Sequence, residues 1–324
     1  DSAQRESRSV PGHSNSRRRP ATDVAAFHAS IRDRAVRPAV SAAAPGVHAA
    51  VPPNAAPVDH VPSVGRLPSS TVRSCSGTVP EAQAVPALRQ FALRRLRLPV
   101  GCGTLCIVVP DPADWVRRGQ WAEATLRGRE PPYWVQVWPA ALAAARVLAK
   151  VGCLGGRRVL DLGCGLGVPG LAAAVAGATT TFADREESAL AFAQWNGERL
   201  ARDRISVRRL DWSREVLDGS FDVIVLADVS YHPVHHLALH RHLTACLADK
   251  GVVVHADPHR REASSFVRVL QSTMAHVTVD RPTTFDGKRT VVRVCVASHS
   301  EPDLAPWRSV LEASPSQVPP VRPA

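Results

Sequence analysis

A short glycine-rich run carries the clearest chemical signature in this sequence. Residues 161–170 read Asp-Leu-Gly-Cys-Gly-Leu-Gly-Val-Pro-Gly, directly after an apolar segment typical of a buried strand and directly before one typical of a helix. Because glycine lacks a Cβ, the backbone there can turn sharply and approach a ligand, and the helix N-terminus offers unpaired N–H groups. We therefore expect Gly163, Cys164, Gly165 and Gly167 to contact a bound cofactor.

The acids near this run favour S-adenosylmethionine as that cofactor. Gly165, Gly167 and Gly170 also match the G-x-G-x-x-G fingerprint of dinucleotide sites, a pattern that is weak alone. Asp161, at the predicted strand tip, can hold the amino-acid end of S-adenosylmethionine, whereas it would repel a pyrophosphate. Asp184, at the end of the next predicted strand, suits the ribose hydroxyls of either cofactor. Asp161 therefore favours S-adenosylmethionine over NAD, as does the Asp211-Trp212 pair.

An acid and an aromatic residue follow the third predicted strand. In Asp211-Trp212 the indole can stack on adenine, and the carboxylate can accept a hydrogen bond from its exocyclic amine. The alternative is that Trp212 is an aromatic side chain at the edge of the core.

Short apolar strands alternate with helical segments through the middle of the chain. The pattern predicts strands at 157–163, 179–184, 205–210, 221–229 and 251–257, and helices at 168–176, 187–200, 234–248 and near 261–274. Such alternation is typical of an α/β fold with a doubly wound, mostly parallel sheet. Two β-rich runs around Asp286-Gly287 predict a terminal hairpin with one antiparallel strand, and the runs around Gly101 and Gly103 predict an N-terminal β-hairpin. The expected fold is thus a Rossmann-like, seven-stranded one.

The rest of the chain differs in composition from this core. Residues 1–88 are rich in Ala, Pro, Ser and Arg and lack a sustained apolar period, so we expect them to be disordered. The folded domain is expected at 89–300 and a C-terminal tail at 301–324.

Charge and cysteine content restrict the expected partners and setting. The net charge of +11 is spread thinly rather than gathered in a stripe, so a nucleic-acid partner is not expected. No apolar run reaches the about 18 residues of a membrane span, so no membrane partner is expected. The seven cysteines form no paired CxxC motifs and indicate reduced thiols in a cytoplasmic protein.

Five segments together resemble a known methyltransferase family. They read PPYWVQVWPAALAAARVLA, VLDLGCGLGVPGLAAA, FADREESALAFAQWN, FDVIVLADVSY and HADPHR. The family includes the electron transfer flavoprotein β-subunit lysine methyltransferases and the calmodulin- and chaperone-lysine methyltransferases, and predicted nicotinamide-type N-methyltransferases share its motifs. The resemblance covers roughly residues 91–297 and implies a class I, S-adenosylmethionine-dependent methyltransferase.

The resemblance also implies which residues form the site. The family's cofactor contacts fall on Trp138, the Gly163-Cys164-Gly165 loop, Asp184, Trp212 and Ala227, and its Asp-x-x-Tyr motif falls on Asp228 and Tyr231. Two departures leave the acceptor open. Many relatives have an acid where His232 stands, and close relatives have a glycine where His259 stands.

Methyl transfer requires an acceptor that is positioned and unprotonated. The carboxylate or the carbonyl of Asp228 can orient an amine, Tyr231 can wall the pocket, and His232 is placed to assist proton removal. His236 and His240 have the i, i+4 spacing of a metal pair, but no clear third ligand accompanies them, so no metal site is expected.

The expected activity is S-adenosylmethionine-dependent methyl transfer to a nitrogen nucleophile, with a protein lysine as the acceptor and the protein that carries it as the partner. Three alternatives stay open: methylation of a small amine such as nicotinamide, methylation of a nucleic acid, and a cofactor-binding scaffold without catalysis. Adenine-N6 enzymes carry Asn/Asp-Pro-Pro-Tyr after the fourth strand, whereas residues 227–231 here read Ala-Asp-Val-Ser-Tyr. That difference counts against the nucleic-acid alternative.

Overall fold

The computed structural model describes residues 80–313 except 102 and 129. The predicted disorder of residues 1–79 therefore lies outside the described residues. A short helix α1 (Pro80–Gln83) precedes the antiparallel hairpin of β1 (Leu93–Val100) and β2 (Gly103–Pro110). This hairpin confirms the one predicted around Gly101, whose φ of +54° is a conformation that glycine adopts without strain.

The central sheet has seven strands, as predicted. Their bounds are β3 (Arg158–Leu162), β4 (Thr179–Asp184), β5 (Ile205–Arg209), β6 (Phe221–Ala227), β7 (Leu247–Asp257), β8 (Ala275–Phe285) and β9 (Lys288–Ser298). Their order across the sheet is β5-β4-β3-β6-β7-β9-β8, and all neighbouring pairs are parallel except β7-β9 and β9-β8, in which β9 runs opposite to the others. The chain winds outward from β3 in one direction and from β6 in the other, so the strand order reverses between these two strands. In such folds ligands bind at this reversal, beyond the carboxyl ends of the strands.

Helices cover both faces of the sheet. Those preceding it are α2 (Pro112–Arg117), α3 (Gln120–Leu126) and α4 (Pro139–Leu148), and those following are α5 (Val168–Val175), α6 (Glu187–Ala201), α7 (His236–Cys246), α8 (Ala263–Thr273) and α9 (Ala305–Glu312). None of the helices in the described part of the chain is both long and apolar enough to cross a membrane.

Alternate residues of the central strands pack into different cores. Val223 and Val225 of β6 belong to the cluster under α4 and α9, whereas Ile224 and Leu226 belong to the cluster under α7 and α8. Side chains alternate between the two faces of a strand, so a strand that is buried on both faces needs an unbroken apolar run. This explains why the strand sequences were recognisable without an alternating pattern.

The N-terminal hairpin is fastened to α6 by a buried amide. The Asn196 side chain is 2% exposed, accepts a hydrogen bond from the Val108 N–H at 2.8 Å and donates to the Val108 carbonyl at 2.9 Å. The amide thereby satisfies the backbone N–H and carbonyl of Val108, as a neighbouring strand would do. Leaving such groups unpaired in the core would cost about 1–3 kcal/mol each.

Both predicted ends of the folded domain need correction. Before residue 89, Ala82 and Leu88 are fully buried and join the core under the hairpin. After residue 300, Leu304, Trp307 and Leu311 are buried in the core cluster of the central sheet. The prediction of a tail from residue 301 is wrong for residues 301–312, because these three side chains recur at helical spacing and cover the sheet.

Candidate active site

A cavity of about 890 Å³ lies beyond the carboxyl ends of β3, β4 and β6, beside the reversal of strand order. Among the residues predicted for the site, those that line the cavity are Trp138, Asp161, Gly163, Cys164, Gly165, Asp184, Asp211, Trp212, Ala227, Asp228 and Tyr231. Two predicted residues, Gly167 and His232, do not line it. The structure therefore brings most of the residues predicted for the cofactor and two of the three predicted for the acceptor, Asp228 and Tyr231, into one cavity.

The glycine loop is shaped by close contacts as well as by its dihedral angles. Gly163 has a φ of +72°, and a Cβ added there would lie 2.6 Å from Val229 Cγ1 and 2.8 Å from the Trp212 ring. At Gly165 the φ is +50°, but the nearest atom to an added Cβ is 3.8 Å away. Gly167, with a φ of +75°, is the N-cap of α5 instead of a cavity residue. Gly163 therefore leaves the room that Trp212 needs over the loop.

Asp161 is a buried carboxylate at the end of β3. It is 1% exposed, and its Oδ2 accepts a hydrogen bond of 2.8 Å from the Gly170 N–H in the first turn of α5. Burial and, to a smaller extent, the charge of Asp184 raise the pKa of this carboxyl to about 7, against the opposing effect of the Gly170 hydrogen bond. A cation in the cavity beside Asp161 would stabilise the ionised form of this carboxyl, which burial disfavours.

Asp184, at the end of β4, holds the loop from the other side. Its Oδ2 accepts from the Gly165 N–H at 2.8 Å and its Oδ1 accepts from the Glu186 N–H at 3.0 Å. Burial raises the pKa of Asp184, and these two hydrogen bonds oppose the increase. Each carboxylate oxygen has a second lone pair, so both can still accept hydrogen bonds from a ligand in the cavity.

Trp212 lies over the glycine loop, and Asp211 lies at the more exposed edge of the cavity. The Trp212 ring meets the His235 ring edge to face, with centroids 5.7 Å apart. Asp211 Oδ1 accepts from the Ser213 hydroxyl at 2.5 Å and from the Ser213 N–H at 3.0 Å. The hydroxyl bond lowers the pKa of Asp211. These bonds hold an ionised carboxylate at the rim, next to the indole.

Asp228 has a partner that the sequence analysis missed. The Arg260 guanidinium donates from Nε to Asp228 Oδ1 at 2.6 Å and from Nη2 to Oδ2 at 2.9 Å. This bidentate pair raises the pKa of Arg260. The pair engages both oxygens of the Asp228 carboxylate, so an amine that binds this carboxylate has to share it with Arg260.

Arg260 belongs to the run Asp257-Pro258-His259-Arg260 that follows β7. His259, which replaces the glycine of close relatives, has a φ of +57°, in the left-handed region that favours glycine. His259 thus adopts a backbone conformation that a glycine at this position would adopt without strain. The resemblance to the family motif was the available signal for Arg260.

Tyr231 takes part in a second network that includes two unpredicted residues. Its hydroxyl donates a hydrogen bond to Glu130, and Arg185 Nη2 donates to the other oxygen of Glu130 at 2.5 Å. Burial raises the pKa of Tyr231, and the bond to Glu130 adds to the increase. The Tyr133 ring lies edge-on to the Tyr231 ring, with centroids 5.8 Å apart. The sequence contains only positional signals for Glu130 and Arg185. Glu130 directly precedes Pro131-Pro132, and Arg185 directly follows Asp184.

The histidines separate into a surface group and a buried group. His232 is exposed and contacts the His235 ring at a centroid distance of 5.7 Å, and His235 is the one that lines the main cavity. His236, His240 and His255 instead pack on Phe266, away from the cavity. Within the described residues no group of three or more His, Cys, Asp or Glu side chains has the arrangement of a metal site. The structure thus gives His232 no contact with the cavity.

Comparison with known proteins identifies the segment that carries this site. Residues 133–273 match a protein-family model described as lysine methyltransferase. This segment is similar to that family. It contains the glycine loop, the acids at the strand ends, and the Asp228 and Tyr231 motif.

Two curated relatives show how far the similarity extends. The electron transfer flavoprotein beta subunit lysine methyltransferase of Rattus norvegicus is 30% identical over 174 residues, which are 51% of this chain and 66% of that protein. The protein N-lysine methyltransferase METTL21A of Xenopus tropicalis is 37% identical over 101 residues, 29% of this chain and 46% of that protein. The chain thus spans between 46% and 66% of the lengths of these relatives.

Among solved structures, the magnesium protoporphyrin IX methyltransferase of Synechocystis, crystallised with S-adenosylhomocysteine, is 18% identical. It covers 58% of this chain and 100% of its own, with a TM-score of 0.42.

Proposed function

We propose that this protein transfers a methyl group from S-adenosylmethionine to the side-chain amine of a protein lysine. One observation carries the proposal: the segment that matches the lysine methyltransferase family model contributes both the glycine loop and the rings of Tyr133 and Tyr231 to the wall of the same cavity. A cofactor and an acceptor held in that cavity would be neighbours. Such proximity is what a methyl transfer requires.

The residues present fit S-adenosylmethionine. Because Gly163 has no Cβ, the Trp212 and Val229 side chains can lie against the loop, and Trp212 lines the cavity there. Asp184 would hold the ribose hydroxyls, Asp161 the ammonium of the amino-acid end, and Trp212 the adenine. When bound, the cofactor supplies an electrophilic methyl group on a sulfonium, and the protein needs no metal for that chemistry.

The chain's own residues would then position the acceptor. A lysine side chain is an apolar stem with a polar end, and aromatic walls suit the stem. Tyr133 and Tyr231 supply such walls, and the Asp228 backbone carbonyl can orient the neutral amine. The Arg260 guanidinium beside Asp228 disfavours a protonated amine at that point, because like charges repel.

The direct test uses the full chain, tritiated S-adenosylmethionine and a cell lysate that is then separated into protein, RNA and small-molecule fractions. We expect label in protein, recovered as methyl-lysine after hydrolysis. Purified electron transfer flavoprotein β subunit is the first single protein to try, because a relative is named for it. Label in the small-molecule fraction alone would reject the lysine proposal and favour a small amine as acceptor.

The pH dependence and two variants add a second test. Free lysine has a pKa of about 10.4, so the rate should climb between about pH 7 and 9 as the amine loses its proton. Tyr231→Phe and Asp228→Asn should lower the rate while keeping cofactor affinity. A rate that ignores pH over this range would contradict an amine acceptor that must be deprotonated.

A reducing, cytoplasmic setting is also part of the proposal. It is supported by the five cysteines in the described part of the chain, which are all free thiols: Cys106, Cys153, Cys164, Cys246 and Cys295. Fractionation of cells that produce the protein, followed by immunoblotting, tests this location.

A further inference from the structure

Two carboxylates at the acceptor end of the cavity differ in how completely they are neutralised. The Asp228 side chain is 3% exposed, and two hydrogen bonds join both of its oxygens to the Arg260 guanidinium. Removing an arginine from such a buried bidentate pair would leave an uncompensated charge and is strongly unfavourable. An incoming ammonium ion therefore cannot readily displace Arg260.

Glu130 is the more accessible of the two. Its side chain is 27% exposed and lines the cavity, and its partner Arg185 is 47% exposed. Ion pairs in contact with water are worth little, because water screens them and the long side chains lose entropy. A second cation can therefore compete with Arg185 for the Glu130 carboxylate at small cost.

The surroundings of Glu130 suit a cation on an apolar stem. The Tyr231 hydroxyl donates to Glu130, and the Tyr133 ring stands edge-on to Tyr231, with 73° between the ring planes. On its other side, Tyr133 meets the Trp138 ring at a centroid distance of 6.0 Å. Aromatic faces beside a carboxylate attract alkylammonium groups through both charge and ring electrons.

We propose that Glu130 is the carboxylate that binds the charged head of the acceptor amine, with Tyr133 and Tyr231 around its stem. The proposal rests on the proposed function and deepens it, since it names the residue that selects a cationic acceptor. Arg185 competes with the acceptor for Glu130, and Tyr231 holds the carboxylate in place. Asp228 and Arg260 keep the adjoining part of the site shaped and neutralised.

The test uses n-butylammonium chloride, which has the stem and charge of a lysine side chain, and 1-butanol as its uncharged counterpart. Binding to the full chain saturated with S-adenosylhomocysteine is measured by ligand-observed nuclear magnetic resonance. The wild-type protein should prefer n-butylammonium to 1-butanol. Glu130→Gln should weaken n-butylammonium binding about tenfold or more, as expected for a lost charge-assisted bond, and leave 1-butanol binding unchanged.

Two further variants separate binding from structural damage. Glu81→Gln is the matched control, because Glu81 also pairs with an arginine, Arg199 at 2.5 Å, but does not line the cavity. It should bind n-butylammonium like the wild type. Arg185→Gln removes the competing cation, so it should strengthen n-butylammonium binding several-fold. A merely structural role for the Glu130 network predicts the opposite sign for Arg185→Gln.

A spectroscopic measurement checks the network in solution. The chain has only two tyrosines, Tyr133 and Tyr231, so the onset of phenol ionisation in an ultraviolet titration reports on these two residues. The contact with Glu130 contributes to the raised pKa of Tyr231. Glu130→Gln should therefore lower the pKa of Tyr231, and it should lower the pKa of Tyr133 by less.

Three results would overturn the inference: equal n-butylammonium affinity in Glu130→Gln and wild type, weaker binding in Arg185→Gln, or no preference of the wild type for n-butylammonium over 1-butanol. Failure of the proposed function itself would appear elsewhere, as wild-type protein that produces no methyl-lysine in the lysate. The two failures are therefore read from different experiments.

Discussion

Acidification should weaken S-adenosylmethionine binding through Asp161. Burial raises the pKa of this carboxyl to about 7. The groups facing it are Asp184 and Cys164, which do not supply a compensating positive charge, and the Gly170 N–H. A ligand ammonium beside Asp161 favours the ionised carboxylate, so below about pH 7 binding must release a proton.

The size of the effect follows from the fraction of Asp161 that is ionised before binding. With a pKa of about 7, only about 3% of the carboxyl is ionised at about pH 5.5, against about 90% at about pH 8. If the ligand requires the ionised form, the dissociation constant should rise about thirtyfold between these two pH values. That change corresponds to about 2 kcal/mol of binding free energy.

Isothermal titration calorimetry at several pH values, in buffers of different ionisation enthalpy, measures both the affinity and the protons released. Methylthioadenosine lacks the amino-acid end but keeps the ribose, so it reports any contribution of Asp184 and should show a shallower dependence. Asp161→Asn should bind S-adenosylmethionine weakly with little pH dependence. Asp222→Asn is the matched control, because Asp222 also accepts a backbone N–H, from Arg158 at 2.7 Å, outside this cavity.

The reasoning would be refuted by a wild-type affinity that stays constant from about pH 5.5 to 8, or by an Asp161→Asn variant that keeps the wild-type pH dependence. Either result would mean that Asp161 holds α5 through Gly170 without meeting the ligand's ammonium. Asp161 would then be a structural carboxyl only.

Three further predictions concern the loop and the core. Gly163→Ala should lower the free energy of unfolding by more than about 3 kcal/mol, through strain and overpacking, and Gly165→Ala by only about 1 kcal/mol; denaturant titration compares them. Burial lowers the pKa of His255 to about 4. The stability that its neutral ring contributes is therefore present above about pH 6.5 and is lost as the pH falls towards 4. In urea titrations, His255→Gln should reduce this loss of unfolding free energy at low pH. Trp307→Ala should cost about 3–5 kcal/mol of stability without changing cofactor affinity, and a neutral effect would contradict the packing of α9 on the sheet.

The parallel core was predictable from sequence because its signals are local. A strand buried on both faces is a continuous apolar run, and the structure places β4 at Thr179–Asp184, as predicted. The terminal hairpin around Asp286-Gly287 followed from the turn residues, and Asp286 and Gly287 have φ values of +50° and +72°. These features require no knowledge of the rest of the chain.

The last helix shows where a local signal was too short. Its apolar residues Leu304, Trp307 and Leu311 are separated by three and then four positions, which is helical spacing. Polar residues and prolines surround so brief a stripe that it resembled a tail. Its burial depends on the groove beside α4 and β8, which exists only in the folded sheet.

The two ends of the cavity differ in how far apart along the chain the bonded residues lie. This difference explains which site residues were recognised from the sequence. At the cofactor end, Asp161 and Asp184 bond to backbone N–H groups only 9 and 19 positions away, so residue types within one short stretch reveal them. At the acceptor end, Arg260 pairs with Asp228 over 32 positions, and Glu130 reaches Tyr231 over 101.

The residues next to Glu130 and Arg260 along the chain give only weak signals of a role, because the partner that gives each its role is supplied by another strand or loop. A change in acceptor can therefore be made by substituting residues such as Glu130 at loop positions, while the backbone contacts of Asp161 and Asp184 stay intact. On this argument the cofactor is the property that sequence motifs report most directly. The acceptor depends on long-range pairs, and these are the contacts that the Glu130 and Arg185 variants measure.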